Sequence, residues 1–185
     1  MGNSWFQFQQ FRVNQDHCAM KISTDAILLG TLSTAEKPEK ILDIGTGTGV
    51  VALMLAQRFP DAKITAIEID DDAAAQAKEN FSESPFASRL NLIHQSLQDF
   101  FPNEKYDLIV SNPPFFPDHL KSQDPKRNKA LHTEELSFAE LMAKASHLLS
   151  TNGSFWVILP PRQMKDLEDL ADKAGLFLCQ SIKVK

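Results

Sequence analysis

Hydrophobic positions along this chain come in short runs of two kinds, and the two kinds alternate. Lys40–Ile44 (KILDI) is a brief apolar run closed by glycines and predicts a strand. Residues 48–59 place apolar side chains at helical spacing, with Pro60 as the stop. Residues 62–69 predict a second strand, and residues 71–81 an alanine-rich helix that begins with acids, as a helix N-terminus prefers. Residues 89–96 and 106–111 give a third and a fourth strand. A helix follows over 137–149, with Ser137 as N-cap and Glu140 three residues on, the capping-box pattern. Asn152-Gly153 marks a turn, residues 154–160 a fifth strand, and residues 162–174 a helix stopped by Gly175. Residues 176–184 alternate as a sixth strand would. Strands that alternate with helices specify an α/β fold with a doubly wound, mostly parallel sheet.

Two stretches break the alternation. Upstream, Phe6, Phe8, Phe11 and Val13 are spaced partly by two, and residues 24–33 then form a helix capped by Thr24 or Asp25. Residues 112–135 carry little pattern. Loops longer than about 12–15 residues are uncommon in compact domains and usually serve function or are disordered.

A chain of 185 residues is expected to be one domain, 1–185, with an N-terminal segment (1–35) ahead of the α/β core (36–185). The net charge of −5 excludes a general basic coat for nucleic acid, so any such contact needs a local patch. Cys18 and Cys179 lie far apart without metal-ligand spacing and read as reduced thiols, so no metal site is expected. There is neither a signal-peptide pattern nor an apolar run near the ~20 residues that span a bilayer. We therefore expect a cytoplasmic protein, off the membrane.

The chemistry begins at "DIGTGTG", residues 43–49, between the first strand and the first helix. Three of the chain's seven glycines (Gly45, Gly47 and Gly49, with Thr46 among them) fall here. Glycine permits a sharp turn and close approach of a ligand, and the helix N-terminus behind it offers N–H groups and a positive dipole end. Val50 stands where a dinucleotide fingerprint wants its third glycine, which argues for an anion smaller than pyrophosphate. The methionine carboxylate of S-adenosylmethionine fits. Glu68 closes the second strand 23 residues past Gly45, where a carboxylate can accept ribose hydroxyls; Ile69 follows it. Asp43 can hold a cationic amine or a water. Asp70, Asp71 and Asp72 read instead as caps of the next helix.

With "NPPF" after the fourth strand, the arrangement resembles the class I S-adenosylmethionine-dependent methyltransferases from Lys40 onward. That resemblance implies a Rossmann-like sheet, S-adenosylhomocysteine as the cofactor product, and Asn112 facing the methyl group. Many relatives use an Asp after the third strand to contact the adenine; here Ser96 and the N–H of Leu97 stand in that place, and Asp99 reads as surface. "NPPF" is similar to the motif of enzymes that methylate a planar nitrogen: adenine N6, guanine N2 or the glutamine amide. The nitrogen's lone pair is delocalised, so it is a weak nucleophile. The Asn112 side-chain oxygen and the Pro113 carbonyl can accept its two N–H bonds and favour the positive charge that develops there. Pro113 and Pro114 stiffen the turn. Phe115 offers a face for stacking, and Phe116 serves either substrate or core. Lys121, Lys126, Arg127 and Lys129 in the following loop are either a phosphate grip or a solvated face. His132 reads as surface.

The leader, residues 6–30, is similar to that of the bacterial valine-tRNA (adenine-37-N6) methyltransferases. This likeness implies valine tRNA as partner, and a leader folded over the cofactor with Gln15, Lys21 and Thr24 beside it. Lys21 meets the methionine carboxylate or snorkels at the surface. Methyl transfer to rRNA guanine N2 or protein glutamine, a nicotinamide oxidoreductase, and a non-catalytic binding module are the alternatives. The chain stops soon after the sixth strand, so we expect a fragment, or a sheet that lacks the usual last strand. We expect a monomer.

Overall fold

The computed structural model describes residues 3–18, 20–113 and 137–184. Its elements run β1 (Trp5–Gln7), β2 (Arg12–Asn14), α1 (Thr24–Leu32), β3 (Lys40–Ile44), α2 (Val50–Arg58), β4 (Lys63–Glu68), α3 (Asp71–Glu83), β5 (Leu90–His94), β6 (Tyr106–Ser111), α4 (Phe138–Leu148), β7 (Leu149–Val157) and α5 (Pro161–Lys173). Chain contacts divide into two units, 1–113 with 148–158, and 114–147 with 159–185.

The first unit holds a five-stranded sheet in the order β5-β4-β3-β6-β7, every pair parallel, and a separate β1-β2 antiparallel hairpin. Parallel strands need crossovers; within this unit α2 links β3 to β4 and α3 links β4 to β5, and both pack on the sheet. Ile41, Leu42, Ile64, Leu108 and Ile109 are sealed in the sheet, and Ala52, Leu53, Leu55 and Ala56 of α2 are equally buried. Helix capping follows chemistry legible in the chain. Asp70 caps α3 by accepting the N–H of Ala73 at 2.8 Å. The cap of α1 is Ser23, whose Oγ accepts from Ala26 N; Thr24 and Asp25, the two proposed from sequence, are the first two helical residues instead. Ser has the better reach here because it precedes the first turn. Phe11 and Val13 of the leader join the core, whereas Phe6 stays exposed.

Two sequence expectations need correction. Asn152-Gly153 is not a turn between elements: it lies inside β7, where pairing skips from Tyr106↔Leu149 to Leu108↔Ser154 and the strand bulges. Residues 176–184 do not form a sixth strand. They have no regular structure, and Phe177 and Leu178 are exposed. Alternation favours a strand, but a strand exists only where a neighbour completes its ladder, and the described residues supply none there.

In the second unit, Ser137 and Glu140 form the expected capping box of α4: Ser137 N donates to Glu140 Oε2 at 2.9 Å, and Glu140 N to Ser137 Oγ at 3.2 Å. The Ser137 hydroxyl, which donates to Glu140 Oε2 at 2.6 Å, and then the Ser137 N–H hold the Glu140 carboxyl below its usual range. Helix α5 ends as the sequence required. Gly175 adopts φ +77°, Leu176 N donates to Ala171 O and Gly175 N to Asp172 O, closing two of the helix's last carbonyls.

Candidate active site at the carboxyl edge of the sheet

The strand order reverses between β3 and β6, and such a switch point is where open α/β sheets bind ligands. Ile44 pairs with Ser111, and Ile44 also pairs with Ile67. Gly45 and Asn112 therefore leave the same edge from adjacent strands, which lie about 4.8 Å apart. Ser111 Oγ, fully buried, donates to Ile44 O at 3.1 Å and ties the two corners together.

Gly45, Gly47 and Gly49 all have positive φ, at 69°, 56° and 81°. A Cβ on Gly49 would sit 2.5 Å from Phe81 Cε1, so the turn packs closely on α3. A Cβ on Gly45 or Gly47 would meet nothing within 4 Å, so open space lies beside both. The N–H groups of the turn itself are already engaged: Gly45 and Thr46 donate to Ile67 O, Gly47 to Glu68 Oε2 and Gly49 to Thr46 O. These four donors fix the shape of the cradle, and the space beside the glycines is what it offers.

Glu68 is 9% exposed and accepts three N–H bonds: Gly47 on Oε2 at 2.8 Å, Ile69 and Asp70 on Oε1 at 2.9 and 3.0 Å. A carboxylate has about four acceptor positions, so one remains, on Oε2. Ile69 is exposed beside it. Asp43 is fully buried. Thr46 Oγ1 donates to its Oδ2 at 2.6 Å, and burial, opposed by that bond and by the Ala52 N–H, pushes its carboxyl up to about 7. The Oδ1 atom of Asn112 is buried and has no hydrogen-bond partner. A buried amide oxygen left unpaired is costly unless a ligand donor completes it. Open glycines, a carboxylate with one free position and an unpaired amide oxygen along one edge fit a nucleoside cofactor beside a nitrogen substrate. Ser96, part-buried, is engaged with Asp99, donating to its Oδ2 at 2.7 Å; Leu97 is buried and Asp99 exposed.

The leader reaches this edge along α3. Gln15 is buried and bridges it internally, donating to Asn3 O and accepting from Ile22 N; Lys21 Nζ donates to Asn3 O. Thr24 is exposed. Pro113 is buried. Pro114, Phe115, Phe116, Lys121, Lys126, Arg127, Lys129 and His132 lie outside the described residues. Sequence reasoning missed Gln76 and Asn80, which hold the leader. The signal was present: two amides on the alanine face of α3, where only partnered polar groups survive. Among the described residues no cluster of His, Cys, Asp and Glu could hold a metal, and no helix is long and apolar enough to cross a membrane. A groove of about 540 Å³ between α3 and β5, lined by Lys78, Asn91 and Leu92 among others, lies outside the β3/β6 switch point.

The chain belongs to the methyltransferase small domain family, whose sequence profile matches residues 21–173. Its fold is that of class I methyltransferases. A tRNA1(Val) (adenine(37)-N6)-methyltransferase of Parabacteroides distasonis is 49% identical over 178 residues, 95% of this chain and 75% of that protein. One of the same name from Pedobacter heparinus is 46% identical over 171 residues, 92% of this chain and 73% of that protein. Among solved structures, an O-methyltransferase family protein from Burkholderia thailandensis superposes with a TM-score of 0.60 at 14% identity, over 85% of this chain and 52% of that one. This chain therefore spans about three quarters of those two sequence relatives and about half of that structure.

Proposed function

We propose that the chain is an S-adenosylmethionine-dependent methyltransferase acting on the exocyclic N6 of adenine 37 in valine tRNA. The observation that carries this reading is the Ile44↔Ser111 register, by which the glycine turn and Asn112 share one edge. The near half-identity to the named tRNA enzymes supports the acceptor. When bound, the cofactor supplies an electrophilic methyl on a sulfonium. Glu68 receives a ribose hydroxyl on the free position of Oε2, Ile69 gives the adenine an apolar face, and Ser96 with the Leu97 N–H borders it. Asp43, when ionised, holds the ammonium directly or through a water. Asn112 Oδ1 and the Pro113 carbonyl accept the two N–H bonds of the target amine and steady the charge it gains. The methylated nitrogen is acidic enough to lose its proton to water, so no strong base is required.

Phe115 and Phe116 take the stacking and substrate roles that the sequence assigns them, and Lys121, Lys126, Arg127 and Lys129 grip phosphate. Residues 1–35 serve as the covering segment of a single methyltransferase domain over 1–185, working as a cytoplasmic monomer. Methylation assays with valine tRNA, rRNA and a release factor in parallel test the acceptor. Label in valine tRNA is expected; label confined to rRNA or to protein would replace this reading.

A further inference from the structure

Helix α3 buries two amide side chains on its apolar face. Ala73, Ala74, Ala77 and Phe81 line that face, and Gln76 and Asn80 share it at 1% and 0% exposure. Four positions apart, they sit one turn above the other. Asn80 satisfies its amide with three bonds. Its Oδ1 accepts the N–H of Asn14 at 2.8 Å, and its Nδ2 donates to Asn14 O at 2.9 Å and to Thr48 O at 2.8 Å. The first two bonds copy one rung of a β-ladder with a side chain in place of a peptide. The third belongs to the glycine turn. One turn earlier, Gln76 Oε1 accepts the N–H of His17 at 3.1 Å while its Nε2 donates to Glu79 Oε2 at 2.8 Å. Cys18, the next residue of the leader, is buried, and its thiol is pushed up to about 11, by burial first and then by the charges of Glu68, Asp70 and Asp72.

We propose that Asn80 and Gln76 are positioning residues: together they clip residues 14–18 along α3, so that the leader walls one side of the cofactor site and sets cofactor affinity rather than the rate of methyl transfer. The inference rests on the reading of this edge as an S-adenosylmethionine site. The chemistry demands an amide at 80. A carboxylate could accept from Asn14 N but would face the carbonyls of Asn14 and Thr48; an alkyl group would leave all three unpaired. Because one side chain grips both Asn14 and Thr48, loosening the leader is felt at the glycine turn.

The test uses the full chain with Asn80→Asp and Gln76→Met. It combines calorimetric titration with S-adenosylhomocysteine, steady-state kinetics on valine tRNA, and hydrogen exchange at the Asn14 and His17 amides. Asn80→Asp is expected to raise the Kd for S-adenosylhomocysteine and the KM for S-adenosylmethionine roughly tenfold, with kcat changed less than about twofold. Gln76→Met moves both constants the same way by roughly threefold, since it loses a single bond to the leader. Both variants exchange the leader amides faster. Should Asn80→Asp fail to fold, Gln76→Met alone decides. Faster exchange with an unchanged Kd overturns the proposal, as does a fall in kcat at constant KM. Wild type that binds S-adenosylhomocysteine no better than the variants refutes the clip alone; wild type that does not bind it refutes the site reading, and the clip with it.

Discussion

If Asp43 holds the cofactor's ammonium as proposed, the affinity of the site should depend on pH, and the size of the effect follows from the burial of Asp43. Removal from water raises its carboxyl from 3.8 to about 7, against the bonds from Thr46 and the Ala52 N–H, and Glu68 adds to the rise. An ammonium beside it favours the ionised form, so binding must expel the proton wherever the carboxyl is protonated. With a value near 7, roughly nine tenths of the groups are ionised at pH 8 and one tenth at pH 6. Apparent Kd scales inversely with the competent fraction, so it should rise about tenfold from pH 8 to pH 6. Calorimetry with S-adenosylhomocysteine in buffers of different ionisation enthalpy should also register close to one proton released at pH 6 and almost none at pH 8. Asn in place of Asp43 should bind weakly at both pH values with no such release. The same proton acts on stability in the opposite sense. The native state binds it more tightly than the unfolded chain, so stability falls as pH rises from 3.8 to about 7, by on the order of 4 kcal/mol. That loss should be absent in Asp43→Asn. Flat affinity between pH 6 and 8 in the wild type, or an equal slope in Asp43→Asn, would refute the assignment.

Three further outcomes are expected. Gly49→Ala combines a left-handed φ of 81° with a Cβ 2.5 Å from Phe81, and should lower stability by about 3 kcal/mol; an unchanged melting temperature would contradict the packing described, and Phe81→Leu should restore part of the loss. Ser137→Ala removes the α4 cap and should cost about 1 kcal/mol in a denaturant melt. Because Glu140 is held below its ordinary 4.5, the cap's contribution is present above that pH and fades as pH falls through the lower folded value, so the wild-type advantage should shrink in acid. Asn112→Ala should abolish methyl transfer while S-adenosylhomocysteine binds nearly as before; full retained activity would count against the two-acceptor geometry.

Most of the frame was legible in the chain because it depends on local pattern. Apolar runs of strand length alternating with helical runs gave the parallel sheet, and Asp70, Ser137 and Gly175 marked helix ends by mechanisms that act within a few residues. The corners of the candidate site could be placed on the fold for a similar reason: the glycine turn, Glu68 and Asn112 each close or follow a strand. What the chain hid was nonlocal or competitive. Whether the glycine-turn donors are free depends on Ile67 and Glu68 reaching across from β4. Residues 176–184 alternate correctly, yet alternation cannot supply a neighbouring strand. The sequence reading puts the α1 cap at Thr24 or Asp25, one or two residues past Ser23, because Ser, Thr and Asp all cap helices and the choice turns on register. The grip of Asn80 on Asn14 and Thr48 joins positions far apart in sequence, although an amide among alanines announced that some partner was needed.

Mass spectrometry of nucleosides from valine tRNA, incubated with this chain and methyl-labelled cofactor, tests the central claim most directly. The account requires labelled N6-methyladenosine at position 37 from the wild type and none from Asn112→Ala, with both proteins binding S-adenosylhomocysteine. Wild-type label on another base, or Asn112→Ala as active as the wild type, would contradict it.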